Sequence, residues 1–248
     1  MQPVKTLRQL AAAVQFMTRI PMPAFRFEPE MVLDAAKFYP LVGALVALGA
    51  IGIERGLRSH LPSMVVALAV LAYLVLITGG FHEDGLADTG DALGGGWTRP
   101  RMLEIMHDSR IGSFGTLAIC LSLLARWVLL GSLPVARFPF YVLTAHVLCR
   151  WSTLPLGAFF ISARTDGLGA QLAHKISLTS VAIGSLFAFL IAGWALRMEA
   201  LVPVAAVIVV TLLSGLYYRS QIGGITGDCF GATNQLAEIA VYVCGVWR

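Results

Sequence analysis

Charged side chains are scarce in this chain of 248 residues. Only 13% of the residues are Asp, Glu, Lys or Arg, whereas 57% are hydrophobic. Soluble domains have roughly 25% charged residues, so this composition excludes a soluble globular protein and predicts an integral membrane protein. The length allows about six or seven helices of ~20 residues. We therefore expect an all-α, polytopic helical bundle in the lipid bilayer, with residues 1–248 as one membrane-embedded catalytic domain and no nucleic-acid partner.

Paired cysteines and a secretory cleavage site are also lacking. The four cysteines are widely spaced and form no CxxC motif, which indicates neither a disulfide framework nor a zinc site. A short apolar piece at residues 10–17 is followed by Arg19 and by prolines, without a small-residue cleavage site, so we expect no signal peptide. Residues 1–34 are predicted to be a cytoplasmic or interfacial segment.

Apolar runs are distributed over the rest of the chain. The predicted spans are residues 38–53, 62–80, 111–133, 138–160, 176–196, 200–217 and a last helix at 235–247. Charged or titratable groups lie inside two neighbouring spans, Arg126 in one and His146 and Arg150 in the next, and the last helix carries Glu238 on its first turns. Charges at that depth cost about 2.5–3.5 kcal/mol on insertion scales, so these side chains are expected to face the bundle interior. For Arg126, snorkelling or a structural ion pair is an equally good interpretation.

Four of the fourteen carboxylates lie within nine residues, at Glu83, Asp84, Asp88 and Asp91. The three aspartates have the spacing i, i+4, i+7, which places them on one face if the stretch is helical. Like charges on one face repel each other, and a bound cation would remove that penalty. Oxygen ligands without cysteine favour Mg²⁺, for which Mn²⁺ can substitute. The alternative is a solvated acidic turn, which the adjoining membrane span makes less favourable.

Glycines and basic residues surround these carboxylates in the polar segment 79–110. Glycines allow a close approach of the backbone to phosphate, and arginines beside a metal site are usual for phosphoryl groups. A second stretch rich in glycine, 218–238, follows a later span and contains Asp228. The candidate substrate-binding residues are Gly79, Gly80, Arg101, Ser109, Arg110, Arg150 and Arg164.

The distribution of Lys and Arg predicts the orientation. The side that holds the N-terminus and the loops 81–110, 161–175 and 218–234 has eleven of these residues, whereas the other side has five. Because positive charge accumulates on cytoplasmic loops, both glycine-and-carboxylate stretches are expected on the cytoplasmic side. There they would meet soluble phosphorylated substrates and Mg²⁺.

Five motifs together resemble the cobalamin synthase family of adenosylcobinamide-GDP ribazoletransferases. They are FMTRIP at 16–21, FYPLVG at 38–43, GGFHEDGLADTGD at 79–91, DSRIGSFG at 108–115 and GDCFGA at 227–232. The resemblance implies a multi-pass enzyme of the bacterial inner membrane that needs Mg²⁺. It implies transfer of adenosylcobinamide phosphate from adenosylcobinamide-GDP to α-ribazole or its 5′-phosphate, with release of GMP. A hydrophobic residue is often found where this chain has Glu83, so Glu83 is a weaker candidate ligand than the aspartates.

On this interpretation Asp84, Asp88 and Asp91 hold one or two Mg²⁺ ions, and one of them or Asp228 accepts the proton of the ribazole hydroxyl. Two histidines, His82 and His107, are less favoured as bases, because each lies beside a carboxylate. A homo-oligomer and an association with other cobalamin-assembly enzymes are left open. Two other functions are considered, a CDP-alcohol phosphotransferase that makes phospholipid and a cation transporter with an acidic site. The acidic groups follow the spans on one face and no inverted repeat is apparent, which disfavours the transporter.

Overall fold

The computed structural model describes residues 2–22, 29–164, 173 and 175–247, and its regular structure there is helical. The α-helices are α1 (Gln2–Met17), α2 (Pro29–Ala35), α3 (Tyr39–Leu57), α4 (Ser63–Thr78), α5 (Phe81–Gly95), α6 (Arg99–Ile105), α7 (Ser113–Ser132), α8 (Phe138–Trp151), α9 (Thr153–Phe159), α10 (Leu178–Leu196), α11 (Leu201–Ile222) and α12 (Gly227–Val246). Short 3₁₀ turns precede α3 and α11. The predicted all-α membrane bundle is confirmed.

Two helices form the centre of the bundle. All residues of α8 from Tyr141 to Trp151 are buried, and α12 packs against α5, α7, α8 and α11. Both helices bury polar side chains as well as apolar ones, among them His146, Arg150, Gln235 and Glu238. The expectation that the charged groups of the spans face the interior is confirmed, since Arg126 of α7 is also buried.

The outer helices expose leucine, valine and phenylalanine. Among the described residues, three stretches are long and apolar enough to cross a membrane, at Met31–Leu57, Ser113–Ser132 and Leu178–Ile222. The last has 45 residues, about twice the length that one crossing needs, and it contains α10 and α11. Helices α4 and α5 are long and apolar enough to cross a membrane only when they are taken together, as one bent span. The count of six or seven spans stays a prediction.

The acidic stretch is helical, as its spacing required, and it turns sharply away from the preceding span. Helix α5 is bent by 87° from α4, and Gly79 and Gly80 at the bend have φ values of 70° and 71°. Side chains other than glycine rarely adopt this left-handed conformation. The right-angle bend ends the direction of α4, and α5 then runs beside α7 and α12, with Glu83 next to Arg126 in the interior and Asp91 at the start of α7.

One predicted span is divided into two helices, and one predicted boundary is wrong. The run 138–160 is broken into α8 and α9 because Pro155 has no N–H to donate and its ring crowds the carbonyl of Trp151. The last helix begins at Gly227 rather than near Gln235, so most of the second glycine-rich stretch is helical. Within this helix Gly231 allows close packing against α5, whereas Gly223, with a φ of 78°, and Gly224 form the turn before it. Of the predicted loop 161–175, residues 165–172 and 174 lie outside the described residues.

Helices α3 and α8 cross at a position where only glycine can be accommodated. A Cβ atom at Gly43 would lie 2.0 Å from the backbone oxygen of His146. We expect Gly43→Ala to force the helices apart and to destabilise the protein by about 1–3 kcal/mol, the usual cost of overpacking. Thermal unfolding of purified protein in detergent, followed by circular dichroism, measures this effect.

The matched control is Gly52→Ala in the same helix, where a Cβ atom would meet nothing within 4 Å. Alanine favours a helix over glycine by up to about 1 kcal/mol, so this variant should be as stable as the parent or more stable. Equal unfolding temperatures for the two variants would contradict the close crossing.

Candidate active site

The two acidic stretches meet where α5 packs against the first turns of α12. A Cβ atom at Gly85 would lie 2.8 Å from the backbone oxygen of Asp228, and one at Gly231 would lie 3.1 Å from the backbone oxygen of His82. The two helices therefore touch backbone to backbone. This contact brings Asp228 to the side of α5 that carries Asp84 and Asp88, which is the arrangement that a shared site requires.

The carboxylates of this cluster influence one another. Burial, together with the charges of Asp228, Asp84 and Asp91, raises the pKa of Asp88 to about 7, and the charge of Arg164 opposes this rise. Burial also raises the pKa of Asp228. The hydrogen bond from Thr226 and the charge of Arg164 act in the opposite direction but do not cancel this rise. Asp88 thus holds its proton up to about neutral pH, and a bound cation would favour its ionised form.

Arg164 is held beside this cluster by backbone pairing. The N–H of Ala163 donates to the oxygen of Ile225 at 2.9 Å, and the N–H of Ile225 donates to the oxygen of Ile161 at 2.9 Å. The guanidinium of Arg164 then lies 3.9 Å from the Asp228 carboxylate and donates to the carbonyl of Leu103 at 2.8 Å. The short turn before α12 therefore fixes a cation next to the acidic groups.

Asp91 is engaged in a different way from Asp84. Its two oxygens accept hydrogen bonds from the N–H groups of Gly112, at 2.6 Å, and Gly115, at 2.8 Å. Both donors belong to the start of α7, where the helix dipole also favours a negative charge. The glycines are needed there, since a Cβ atom at either one would lie within 2.5 Å of the Asp91 carboxylate. Asp91 therefore anchors α7 to α5.

Glu83 points away from the aspartates into the bundle. Its Oε1 accepts from Arg126 at 2.7 Å and from the amide of Gln235 at 3.3 Å. Arg150, a candidate for substrate contact, is likewise interior, and it donates to Nδ1 of His146 at 3.0 Å. The structure does not bring these two residues together with Asp84, Asp88 and Asp228.

The remaining candidates lie at the rim, close to a cavity of about 560 Å³. Its lining residues are Pro100, Leu103, Glu104, His107, Asp108 and Arg164. Arg101 pairs with Glu104 at 2.7 Å. Arg110 pairs with Asp108 at 2.6 Å, and this hydrogen bonding lowers the pKa of Asp108 to about 2. Ser109 is exposed.

Sequence reasoning did not select Arg19 as a site residue. The structure places its guanidinium against Gly79, where a Cβ atom would lie 2.2 Å from Nε, and its N–H donates to the oxygen of Ile77 at 2.7 Å. Gly79 and Gly80 thus form the bend, and the lack of a side chain at Gly79 leaves room for the guanidinium of Arg19. The signal was available, because Arg19 lies in the FMTRIP motif, but nothing in the sequence placed that motif beside the acidic helix.

The donor set tests whether a divalent cation suits this place. Asp84, Asp88 and Asp228 offer only hard oxygen ligands, and the crowding of carboxylates favours a counter-charge. The carboxylate oxygens of these three aspartates do not all lie within 4.8 Å of one another; among the described residues, the group of ligating side chains that meets this distance is His146, Cys149 and Glu238. That group is unsuitable, because Arg150 donates to His146 and Arg126 donates to Glu238, so cations already occupy the positions that a metal would need.

Comparison with known proteins identifies the family. A family model described as cobalamin-5-phosphate synthase matches residues 9–246. The chain belongs to the cobalamin-5-phosphate synthase family. Relatives named adenosylcobinamide-GDP ribazoletransferase occur in Shewanella piezotolerans, with 37% identity over 93% of this chain and 92% of theirs, and in Azorhizobium caulinodans, with 38% identity over 98% and 96%. No solved structure matches the chain. The resemblance of the five motifs to the family is confirmed.

The different environments of Asp91 and Asp84 predict different effects on stability. In Asp91→Asn, one acceptor oxygen is replaced by an NH₂ group that faces an N–H donor. We expect this change to lower the free energy of unfolding by about 1–3 kcal/mol, the cost of a buried unsatisfied polar group. Asp84→Asn is the control, because Asp84 is exposed, and its unfolding temperature should equal that of the parent. A stable Asp91→Asn protein would contradict the anchoring role.

Proposed function

We propose that this chain is an adenosylcobinamide-GDP ribazoletransferase. It transfers the adenosylcobinamide phosphate moiety to a hydroxyl group of α-ribazole or α-ribazole 5′-phosphate and releases GMP. The observation that carries the proposal is the convergence of two acidic stretches of α5 and α12 beside Arg164, in a chain whose relatives bear that name over nearly their whole length. The family match favours this activity over phospholipid synthesis and cation transport.

Asp84, Asp88 and Asp228 are the residues that would hold Mg²⁺, or Mn²⁺ in its place. A bound ion would neutralise diphosphate oxygens and stabilise the charge that develops on GMP. Arg164 contributes a second positive charge, which its contacts with Leu103 and Asp228 hold in place before substrate arrives. Asp91 contributes through position, since it holds the start of α7 against the acidic helix. Glu83 contributes from the interior, where it fixes α5.

Asp228 is proposed as the acceptor of the proton of the attacking hydroxyl. Burial raises the pKa values of both Asp228 and Asp88, which makes each a stronger base than an exposed aspartate, and Asp228 is chosen because a neighbouring hydroxyl group orients its carboxylate. In the reaction the ribazole oxygen forms a bond to phosphorus, the bond from phosphorus to the GMP oxygen breaks, and the proton passes to Asp228. The hydroxyl of Thr226 donates to Asp228 at 3.1 Å and orients it.

The enzyme is proposed to lie in the bacterial inner membrane with this site on the cytoplasmic side. The support is the distribution of Lys and Arg, eleven on the side of the acidic segments and five on the other. A cytoplasmic site gives nucleotide substrates and Mg²⁺ direct access. Substrates would therefore approach from water rather than through lipid.

The first test of function is metal dependence. Purified protein in detergent should release GMP from adenosylcobinamide-GDP when α-ribazole is supplied, and chelation with EDTA should abolish this release. Mg²⁺ or Mn²⁺ added in excess should restore it, because all the candidate ligands are hard oxygen donors. Chromatographic measurement of GMP is the readout. Undiminished turnover in excess EDTA would overturn the metal assignment.

The second test separates the aspartates. Asp84→Asn and Asp88→Asn keep the side-chain size but remove charge, so each should lower kcat at least ~10²-fold, the lower range for losing one electrostatic stabiliser. The same loss is expected for Asp228→Asn. Asp34→Asn is the matched control, because Asp34 pairs with Lys5 and Gln9 away from the site, and its kcat should be unchanged. Normal turnover by Asp228→Asn would restrict the chemistry to α5.

A further inference from the structure

A buried guanidinium connects the two helices that carry the acidic groups. Arg126 of α7 is 1% exposed. Its Nη1 donates to Glu83 of α5 at 2.7 Å and to the amide oxygen of Gln235 of α12 at 2.7 Å, and its Nε donates to Glu238 of α12 at 3.0 Å. Ser122, one turn earlier on α7, donates to the same amide oxygen at 3.1 Å. One side chain thus holds α5 and α12 together.

The positions of these partners relate the buried network to the site. Glu83 immediately precedes Asp84, so its contact with Arg126 sets the height and rotation of α5 at that aspartate. Gln235 follows Asp228 by seven residues, which is two turns of helix, so it lies on the same side of α12. The network therefore controls how far Asp84 and Asp88 lie from Asp228.

Stability alone does not explain such a network. Buried charges lose their hydration, and well-packed apolar residues in their place are often as stable or more stable. The network also leaves Oε2 of Glu83 buried without a hydrogen-bond partner among the described residues. A planar guanidinium has several N–H donors in a fixed geometry, which we call the fork. Here these donors bond to two carboxylates and one amide, which belong to two different helices.

We propose that Arg126 is a positioning residue, which sets the spacing between the carboxylates of α5 and Asp228 of α12 and so tunes the affinity of the site for its divalent cation. The inference rests on the proposed function. It predicts that loss of the fork changes the Mg²⁺ requirement of the enzyme, rather than only the amount of folded protein.

Arg126→Lys tests the proposal, since lysine keeps the charge but has a single ammonium group that cannot make three contacts in one plane. We expect the Mg²⁺ concentration for half-maximal GMP release to rise at least ~10-fold, while kcat at saturating Mg²⁺ stays within about threefold of the parent. The Mg²⁺-induced rise in unfolding temperature should need correspondingly more Mg²⁺, which gives a readout independent of turnover.

Arg137→Lys is the matched control. Arg137 forms the same kind of pair, with Glu199, and also donates to the carbonyl of Gly245 near the end of α12. Arg137 lies outside the acidic site, so the Mg²⁺ requirement of the Arg137→Lys enzyme should equal that of the parent. If Arg126→Lys fails to insert, Glu83→Gln provides the second variant. It keeps the shape of the side chain but weakens the contact to Arg126, and it should raise the half-maximal Mg²⁺ concentration in the same direction.

The outcomes separate the two claims. A parent protein that releases no GMP refutes the proposed function. An active parent with an unchanged half-maximal Mg²⁺ concentration in Arg126→Lys, or in Glu83→Gln if that variant is used, refutes the positioning role alone. A lower kcat with an unchanged Mg²⁺ requirement also refutes it, because that is the pattern of a purely structural residue. Effects of the two variants that are not additive in the double variant would support their acting through one contact.

Discussion

The backbone contact between α5 and α12 is the constraint on which the site depends. Gly85 and Gly231 leave no room for a Cβ atom, so the two helices approach until their backbones touch. Asp228 can reach the face of Asp84 and Asp88 only at that separation. Small residues at helix crossings are typical of membrane proteins, where packing replaces the hydrophobic effect as the force between helices. Here the same small residues also determine where charged groups meet.

Polar groups in the interior cooperate with this contact. Arg126 pairs with Glu83 and Glu238, and Arg150 bonds to His146, whose Nε2 lies 3.2 Å from the hydroxyl of Tyr242. Each of these groups would be costly if it were left alone in a low-dielectric interior. Through these bonds they link α5, α7, α8 and α12, so the framework that carries the aspartates is held by directional bonds as well as by apolar packing.

The sequence was sufficient for the class of the protein, most apolar helices and the shared face of Asp84, Asp88 and Asp91, because these features depend on composition and on local helical periodicity. It was not sufficient for the start of α12. Gly227, Gly231 and the neighbouring small residues resemble a loop when they are considered locally, yet they are helical because another backbone packs against them. The helix start depends on a contact between distant parts of the chain.

The separate surroundings of Glu83 and Asp91 were likewise beyond prediction. Their partners lie 21 to 152 residues away along the chain, and carboxylates that share one helix gave no indication which would lie near Asp228, which would contact α7 and which would face the interior. Arg19 was overlooked for the same reason. Arg19 contacts Gly79 because the N-terminal segment packs against the end of α4, and no local sequence pattern predicts that packing.

The polar character of α12 has a consequence for biogenesis. Its residues Gln235 and Glu238 bond to Ser122 and Arg126 of α7, more than a hundred residues earlier in the chain, so α7 is synthesised first. A buried polar group without its partner is costly, so α12 is poorly suited to enter lipid alone. We expect it to dock onto a surface that α5 and α7 have already formed, and the acidic site is complete only when it does.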